Sequence, residues 1–213
     1  MNRKYSTALV IAAPVDGSGQ HFTGLPEADI VVAADSGVDV ARKLGRKVDI
    51  LVGDLDSATD AGIAWAKSLG ARVKLYPTHK DFTDLELALQ VAVDRAESVF
   101  VVASAEGRLD HTLGNLIVLA SQRWANATVS ANVGAAHVDV VRGRRRISGN
   151  IGDLVSLVAV GGSARSVRTE GLEYPLEDED LHPCEARGIS NVICSVPAEV
   201  EVASGVLLVV KPG

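Results

Sequence analysis

The feature that most constrains this chain is a regular alternation of short apolar runs and helical patterns over residues 1–137. Several of the runs lack polar alternation, which is typical of strands that are covered on both faces. Strand–helix alternation of this kind indicates a doubly wound, mostly parallel sheet, so we predict an N-terminal α/β domain. The predicted strands are Ala8–Ala13, Ile30–Ala34, Asp49–Val52, Val73–Tyr76, Val99–Ala103 and Thr128–Val133, and the predicted helices are 38–45, 59–69, 84–97 and 111–125.

The rhythm changes over residues 138–213, where short β-type runs are separated by glycine, proline and polar residues. We predict a smaller all-β domain here, an antiparallel sandwich or barrel. The acidic segment Glu177–Asp180 is interpreted as a surface loop, and the basic run at 142–146 as a solvated hairpin turn. The predicted strands of this half are His137–Val141, Asp153–Val160, Ser190–Val196 and Val206–Val210.

Composition excludes several classes of protein. The 213 residues are 47% hydrophobic, which is enough for a globular core. A net charge of −6 argues against general nucleic-acid binding but not against a nucleotide substrate, because a divalent cation can reverse the sign locally. No apolar run reaches the roughly 18 residues of a membrane span. Two cysteines, Cys184 and Cys194, fit a reducing cytoplasm better than a disulfide framework.

Aspartates follow four consecutive predicted strands at their carboxyl ends, which is where open α/β sheets bind ligands. Any one of them alone is best explained as a turn or helix cap. Thr83 or Asp81 is a predicted cap of the third helix, and Asp110 of the fourth. The repetition at one sheet edge favours a functional cluster instead. The aspartates concerned are Asp35, Asp54, Asp56, Asp81, Asp84 and Asp110.

Asp54 and Asp56 carry the strongest indication of a metal. An i, i+2 pair in an extended segment directs both carboxylates the same way, and a hard cation such as Mg²⁺ relieves their repulsion. Arg108 and Lys80 are candidate partners for a phosphate group, although either could form a structural ion pair. The chain contains neither the G-x-x-x-x-G-K-[ST] nor the G-x-G-x-x-G pattern. The sequence therefore predicts magnesium-dependent phosphate transfer without a P-loop.

The motifs, taken in order, resemble those of the thiamine pyrophosphokinase (thiamine diphosphokinase) family. The matching segments are A-D-S-G at 34–37, V-D-I-L-V-G-D-L-D-S at 48–57, K-D-F-T-D at 80–84, G-R-L-D-H-T-L-G-N at 107–115, T-E-G-L-E-Y-P-L at 169–176 and R-G-I-S-N at 187–191. They cover most of the chain. The resemblance implies a homodimer with active sites at the subunit boundary, which transfers pyrophosphate from ATP to the hydroxyl of thiamine with Mg²⁺.

The resemblance also implies roles for individual residues. Asp54, Asp56 and Asp84 correspond to the metal and catalytic carboxylates. Ser190 and Asn191 correspond to thiamine contacts. The chain departs from the family pattern at Ser36, where a glycine is common, and at Val192, where a glutamate or an aromatic residue is usual. The remaining candidates are Arg108 and Asp110 for catalysis and Asp35, Ser36, Lys80, Asp81, Thr83, His111 and Asn115 for substrate binding.

Two other functions remain compatible with the residues. The carboxylate cluster would also serve a metal-dependent phosphohydrolase or another nucleotide kinase. A non-catalytic thiamine or nucleotide sensor could share the fold, although a binding module has little need for so many uncompensated carboxylates.

Overall fold

The computed structural model describes residues 5–12, 24–78, 81–105 and 108–213. They form two compact units: the first runs to residue 115 and adds 126–134, and the second comprises 116–125 and 135–213. The functional division at residue 137, into a catalytic and a thiamine-binding domain, stays a prediction. No helix in the described part of the chain is long and apolar enough to cross a membrane.

Strands β1–β6 and the first three helices belong to the first unit. The strands are β1 (Tyr5–Ala12), β2 (Ile30–Ala34), β3 (Ile50–Gly53), β4 (Arg72–Leu75), β5 (Ala96–Ala103), β6 (Thr128–Val133), β7 (Ala136–Val141), β8 (Arg144–Ile147), β9 (Leu154–Ala159), β10 (Ala164–Glu170), β11 (Glu177–Leu181), β12 (Asn191–Val192), β13 (Ala198–Glu201) and β14 (Leu207–Lys211). The helices are α1 (Gly37–Lys43), α2 (Asp60–Ser68), α3 (Asp84–Val93) and α4 (Leu109–Leu119), followed by a 3₁₀ turn at Gln122–Trp124.

The sheet of the first unit has the order β6-β5-β1-β2-β3-β4, and every neighbouring pair is parallel. All residues of β2 and β3 are buried, as expected for strands covered on both faces. The predicted α/β fold is therefore confirmed. Since the strands are parallel, β2 and β3 end at the same edge of the sheet.

Helix α1 packs directly on the sheet. Leu9 of β1 and Val31 of β2 form one apolar cluster with Val38 and Ala41 of α1 and with residues of β3, β5 and α2. The first residue of α1, Gly37, must be glycine, because a Cβ at that position would lie only 2.0 Å from the backbone oxygen of Ile11. The end of the A-D-S-G segment thus lies directly against β1 at Ile11.

Of the two helices with a predicted N-cap, one differs from the prediction. Thr83 caps α3 as expected, in a capping box with Glu86. Asp110 does not cap α4: the amides of His111 and Thr112 already donate to the oxygen of Arg108, so Asp110 lies inside the first turn. Thr59 caps α2 and Thr83 caps α3 by ordinary N-cap chemistry, whereas α4 begins at Leu109, two residues before the start that a cap at Asp110 implies.

Helix α4 also ends earlier than predicted, at Leu119 rather than near residue 125. The buried Trp124 folds back and donates from Nε1 to the oxygen of Val118. Arg142 donates to the oxygens of Ala120 and Ser121. These side chains satisfy the last carbonyls of the helix, so the chain can turn there without leaving them unpaired.

The second unit is an antiparallel sandwich, in agreement with the prediction. One sheet has the order β12-β9-β14-β7 and the other β11-β10-β13-β8. Val155, Leu157, Leu207 and Val209 of the first sheet are buried in one cluster with residues of the second. The core of this unit is therefore the layer between its two sheets.

Three predictions for this half are wrong. The strand predicted over Ser190–Val196 is limited to the two residues of β12. The segment Glu177–Asp180 is not a loop but most of edge strand β11, whose acidic side chains pair with arginines on neighbouring segments, as in Arg165–Asp180 and Arg168–Asp178. The basic run is not a hairpin turn, because β7 and β8 belong to different sheets. Arg145 of β8 instead forms an ion pair with the buried Asp139 of β7.

Candidate active site

Three aspartates meet at the carboxyl ends of the parallel strands. Asp35 follows β2, Asp54 follows β3, and Asp84 is the first residue of α3. One carboxylate oxygen of each lies within 4.8 Å of the other two. The parallel register that pairs Ala34 with Val52 is the reason, because it brings the two strand ends level.

Asp35 is held in an unusual conformation. Its φ of +47° is uncommon for a residue other than glycine, and its amide donates to the oxygen of Val52 over 2.8 Å. Oxygen Oδ2 accepts a hydrogen bond from the hydroxyl of Ser57. The other oxygen, Oδ1, is buried and has no hydrogen-bond partner in the described part of the chain. Leaving such a group unsatisfied costs about 1–3 kcal/mol, which favours a ligand at this point.

Gly53 makes the close approach possible. Its φ is +137°, and a Cβ there would lie 3.0 Å from Oδ1 of Asp84 and 3.3 Å from Cβ of Asp35. Any larger residue would be strained and would press on two of the three aspartates. The glycine of G-D-L-D therefore has a geometric role within the cluster.

The donor set fits a magnesium ion. An octahedral ion with bonds of about 2.1 Å holds its ligand oxygens about 3.0–4.2 Å apart. The three oxygens, all within 4.8 Å, need little movement to reach those distances. The N-terminus of α3, where Asp84 lies, also offsets part of the negative charge. The chemistry and the spacing both suit a hard divalent cation.

The cluster differs from the predicted metal set in one member. The sequence predicted Asp54, Asp56 and Asp84, whereas the oxygens that lie together belong to Asp35, Asp54 and Asp84. Asp56 is exposed and is not in that group of described residues. Asp35 was predicted as a substrate contact. Asp35 lies directly after β2, as Asp54 lies directly after β3. This shared position is the signal in the sequence that could have indicated that Asp35 lies in the cluster.

Arg108 and Asp110 form a separate pair at the start of α4. Arg108 Nη2 lies 2.6 Å from Asp110 Oδ2, and its Nε donates to Oδ1 over 3.2 Å. This pairing holds the pKa of the Asp110 carboxyl below its usual value and raises the pKa of the guanidinium. Both side chains are well exposed, at 70% and 63%, so solvent weakens the interaction. Either side chain can therefore leave this ion pair and bind a ligand at little cost in free energy.

The other predicted site residues of the first unit differ in exposure and in hydrogen bonding. Ser36 begins α1 without a side-chain capping bond, whereas the Thr83 hydroxyl accepts from the amide of Glu86. Asp81 and His111 are exposed, and Asn115 is half-buried in α4. Lys80 lies outside the described residues.

Ser190 and Asn191 lie in the second unit, and their surroundings differ. Ser190 is exposed, with φ +57°. Asn191 is buried: its Oδ1 accepts from the amide of Tyr174 over 3.0 Å, and its Nδ2 donates to the oxygen of Tyr174 over 2.7 Å. Asn191 therefore holds the backbone of Tyr174, a residue that is 63% exposed. A cavity of about 300 Å³ is lined by Tyr174, Leu176, Ala186, Arg187, Gly188, Ile189 and Asn191.

Two family models match the chain. Residues 24–131 match the model described as "Thiamin pyrophosphokinase, catalytic domain", and residues 144–207 match "Thiamin pyrophosphokinase, vitamin B1 binding domain". The chain belongs to the thiamin pyrophosphokinase family. The resemblance inferred from the motifs is thereby confirmed.

Individual relatives agree with the family. The thiamine pyrophosphokinase of Bacillus subtilis is 24% identical over 162 residues, which span 75% of this chain and 76% of that protein. A crystal structure of thiamine pyrophosphokinase from Bacillus subtilis matches with a TM-score of 0.83 at 20% identity, covering 97% of this chain and 99% of that one. The thiamin pyrophosphokinase from Candida albicans matches with a TM-score of 0.77 at 14% identity, covering 98% and 89%. The structural likenesses show that the thiamin pyrophosphokinase fold spans nearly the whole chain.

Proposed function

We propose that this chain is a thiamine diphosphokinase, which transfers the pyrophosphoryl group of ATP to the hydroxyl of thiamine and releases thiamine diphosphate and AMP. The observation that carries the proposal is the agreement between the two family matches and the aspartate cluster at the carboxyl ends of β2 and β3. Such a cluster suits phosphate transfer and is not needed for binding alone.

The reaction moves charge but needs little covalent chemistry from the protein. The hydroxyl oxygen of thiamine forms a bond to the β-phosphorus of ATP, and the bond from that phosphorus to the oxygen shared with the α-phosphorus breaks. AMP leaves with that oxygen, and the hydroxyl proton passes to a base. Catalysis then depends on alignment of the two substrates and on stabilisation of the phosphate oxygens.

We assign the magnesium site to Asp35, Asp54 and Asp84, whose oxygens already lie within 4.8 Å of one another. Bound there, Mg²⁺ would neutralise charge on the phosphate oxygens of ATP. Asp56 is exposed two residues beyond Asp54, and we propose it as a further contact to the magnesium complex of ATP.

Arg108 is the proposed clamp for the triphosphate. Its present bond to Asp110 is exposed, so the guanidinium can exchange a carboxylate for a phosphate at little cost. Asp84 and Asp110 are the candidates for the base. The lowered pKa of Asp110 makes it a weaker base for as long as Arg108 stays bound to it. The remaining proposed substrate contacts are Ser36, Lys80, Asp81, Thr83, His111 and Asn115.

Residues 138–213 are the proposed thiamine-binding and dimerisation domain. The cavity beside Tyr174 has an exposed aromatic ring, suited to a cationic heteroaromatic ligand, and it adjoins the exposed Ser190. Asn191 would act by holding the backbone of Tyr174, since both polar atoms of its side chain already bond there. The ring of Tyr174 supports a thiamine site in this chain, which has Val192 where the family often has an aromatic residue.

Helix α4 supports a homodimer with the active sites at the subunit boundary. Leu109, Leu113 and Ile117 recur every four residues along one face, and they are 71%, 52% and 62% exposed. Of the residues of α4, all of which are described, only Leu119 is buried. A second copy of the chain would cover this apolar face. We further propose that the enzyme acts in the cytoplasm.

An assay of AMP release from ATP and Mg²⁺, with and without thiamine, tests the proposal. Thiamine-dependent AMP is expected. Thiamine-independent phosphate would indicate a phosphohydrolase, and thiamine binding without turnover would indicate a sensor. In the same assay, Asp84→Asn and Asp110→Asn are expected to lose roughly a hundredfold or more if either residue accepts the proton, and near-native rates for both would rule out that assignment.

A further inference from the structure

Ser57 donates a hydrogen bond to one oxygen of Asp35 and leaves the other free. Its hydroxyl bonds to Oδ2, while Oδ1 is buried without a hydrogen-bond partner in the described segments. Oδ1 is thus the oxygen that remains available to the cluster formed with Asp54 and Asp84. The two oxygens of the Asp35 carboxylate thus differ in their surroundings, since Oδ2 is bonded to Ser57 and Oδ1 has no hydrogen-bond partner among the described residues.

The backbone supports this division. The left-handed φ of Asp35 and its amide bond to Val52 fix the Cα, so the carboxylate can move only by rotation of its side chain. The Ser57 hydroxyl restrains that rotation. Partners of this kind orient metal ligands, and their loss typically weakens metal binding by about 10–100-fold.

We propose that Ser57 is a positioning residue that makes Asp35 a monodentate ligand and so favours Mg²⁺ over Ca²⁺. This inference rests on the proposed magnesium site. Mg²⁺ requires near-octahedral geometry at about 2.0–2.1 Å, whereas Ca²⁺ takes about 6–8 oxygens at 2.3–2.6 Å and readily accepts both oxygens of a carboxylate. With Oδ2 occupied by Ser57, Asp35 offers one oxygen and suits the smaller ion. Without the hydroxyl, both oxygens become available, which benefits Ca²⁺.

The test is displacement of Mn²⁺ from the full-length protein by Mg²⁺ or by Ca²⁺, followed by electron paramagnetic resonance. In Ser57→Ala, Mg²⁺ binding is expected to weaken by about tenfold. Ca²⁺ binding should weaken less or improve, so that the ratio of the Ca²⁺ to the Mg²⁺ dissociation constant falls. Ser57→Thr keeps a hydroxyl and should preserve the ratio of the unsubstituted protein.

Thr59→Ala is the matched control. Thr59 also donates its hydroxyl to an aspartate, Asp39, but this pair caps α2 and is not part of the cluster. Its loss should lower the melting temperature and leave the ratio unchanged, which separates lost stability from lost positioning.

An unchanged ratio in Ser57→Ala, or an equal loss of both cations, would overturn the inference and leave the proposed function intact. Absence of Mn²⁺ binding to the unsubstituted protein would overturn both the inference and the magnesium site. Thiamine-dependent AMP release by the unsubstituted protein, measured separately, tests the proposed activity itself.

Discussion

Aspartates lie at both edges of the parallel sheet, but their hydrogen bonding differs between the two edges. At the amino ends of the strands, Asp29 accepts from the amides of Ser6 and Thr7 over 3.0 and 2.9 Å. Asp49 likewise accepts from the amide of Val31 over 2.9 Å. At the carboxyl ends, by contrast, three aspartates face one another, and Oδ1 of Asp35 is buried without a donor among the described residues.

The difference separates carboxylates that stabilise the sheet from those that we propose bind a cation. Asp29 and Asp49 each reach back to the neighbouring strand and satisfy its first amides, so they stabilise the sheet. At the carboxyl edge three carboxylates lie together, and Oδ1 of Asp35 is unsatisfied among the described residues, an arrangement that a bound cation would stabilise. Asp29 and Asp49 directly precede a strand, and Asp35 directly follows one. What differs is that Asp29 and Asp49 accept hydrogen bonds from amides of the neighbouring strand, whereas Oδ1 of Asp35 has no donor among the described residues.

The largest effect is expected for Asp54→Asn at the carboxyl edge. Loss of one cation ligand removes several kcal/mol of transition-state stabilisation, so thiamine-dependent AMP release should fall by about 100-fold or more. Steady-state kinetics of AMP release measure this loss. Near-native turnover would contradict the role of the cluster.

Binding of Mg²⁺ should raise the stability of the unsubstituted protein. A cation that binds only the folded state adds about 2.7 kcal/mol at 100 times its dissociation constant. Asp35→Asn should lose most of this increment, whereas Asp49→Asn should keep it. Thermal unfolding with and without Mg²⁺ measures the increment. Equal increments in Asp35→Asn and Asp49→Asn would show that the two edges do not differ in cation binding.

Gly53→Ala tests the crowding of the cluster itself. Strain at φ +137° and contact with Asp84 and Asp35 are expected to cost about 1–3 kcal/mol of stability and to reduce activity as well. Gly70→Ala is the control: its φ of +88° is also strained, but nothing lies within 4 Å of the added Cβ. That variant should lose stability alone. Equal activity in both variants would mean that Gly53 has no role beyond its backbone conformation.

The smallest effect is expected at the amino edge. Asp29→Ala leaves two amides of β1 to water and should lower the free energy of unfolding by about 1 kcal/mol, with AMP release unchanged. Chemical unfolding and the same kinetic assay provide the comparison. A large loss of activity at normal stability would show that this edge also contributes to catalysis.

Much of the first unit could be predicted because several of its strands are short apolar runs, of which β2 and β3 are buried throughout. Strands β2 and β6 have the predicted bounds, and the gathering of aspartates at one edge follows from the parallel order alone. That the oxygens of Asp35, Asp54 and Asp84 lie within 4.8 Å of one another could be predicted only in part. The place of Asp35 directly after β2 indicates that it belongs to this edge, but the distances depend on the register between β2 and β3, which cannot be read from the spacing of residues along the chain.

The second sheet of the sandwich was missed for a different reason. Its strands β8, β10, β11 and β13 bury only one face, and the other face carries charges, as in the sequence EDEDL of β11. Pairs between strands, such as Arg144 with Glu199, stabilise these charges in the folded sheet. The partners are distant in sequence, so each segment alone looks like a loop.

Crystals of the full-length protein soaked in Mn²⁺ provide the most direct test of the central claim, through anomalous diffraction at the manganese edge. The account predicts a single strong peak bonded at about 2.2 Å to Oδ1 of Asp35 and to one oxygen each of Asp54 and Asp84. The amino-edge aspartates Asp29 and Asp49 should show none. Manganese absent from the cluster, or present equally at the amino edge, would contradict the account.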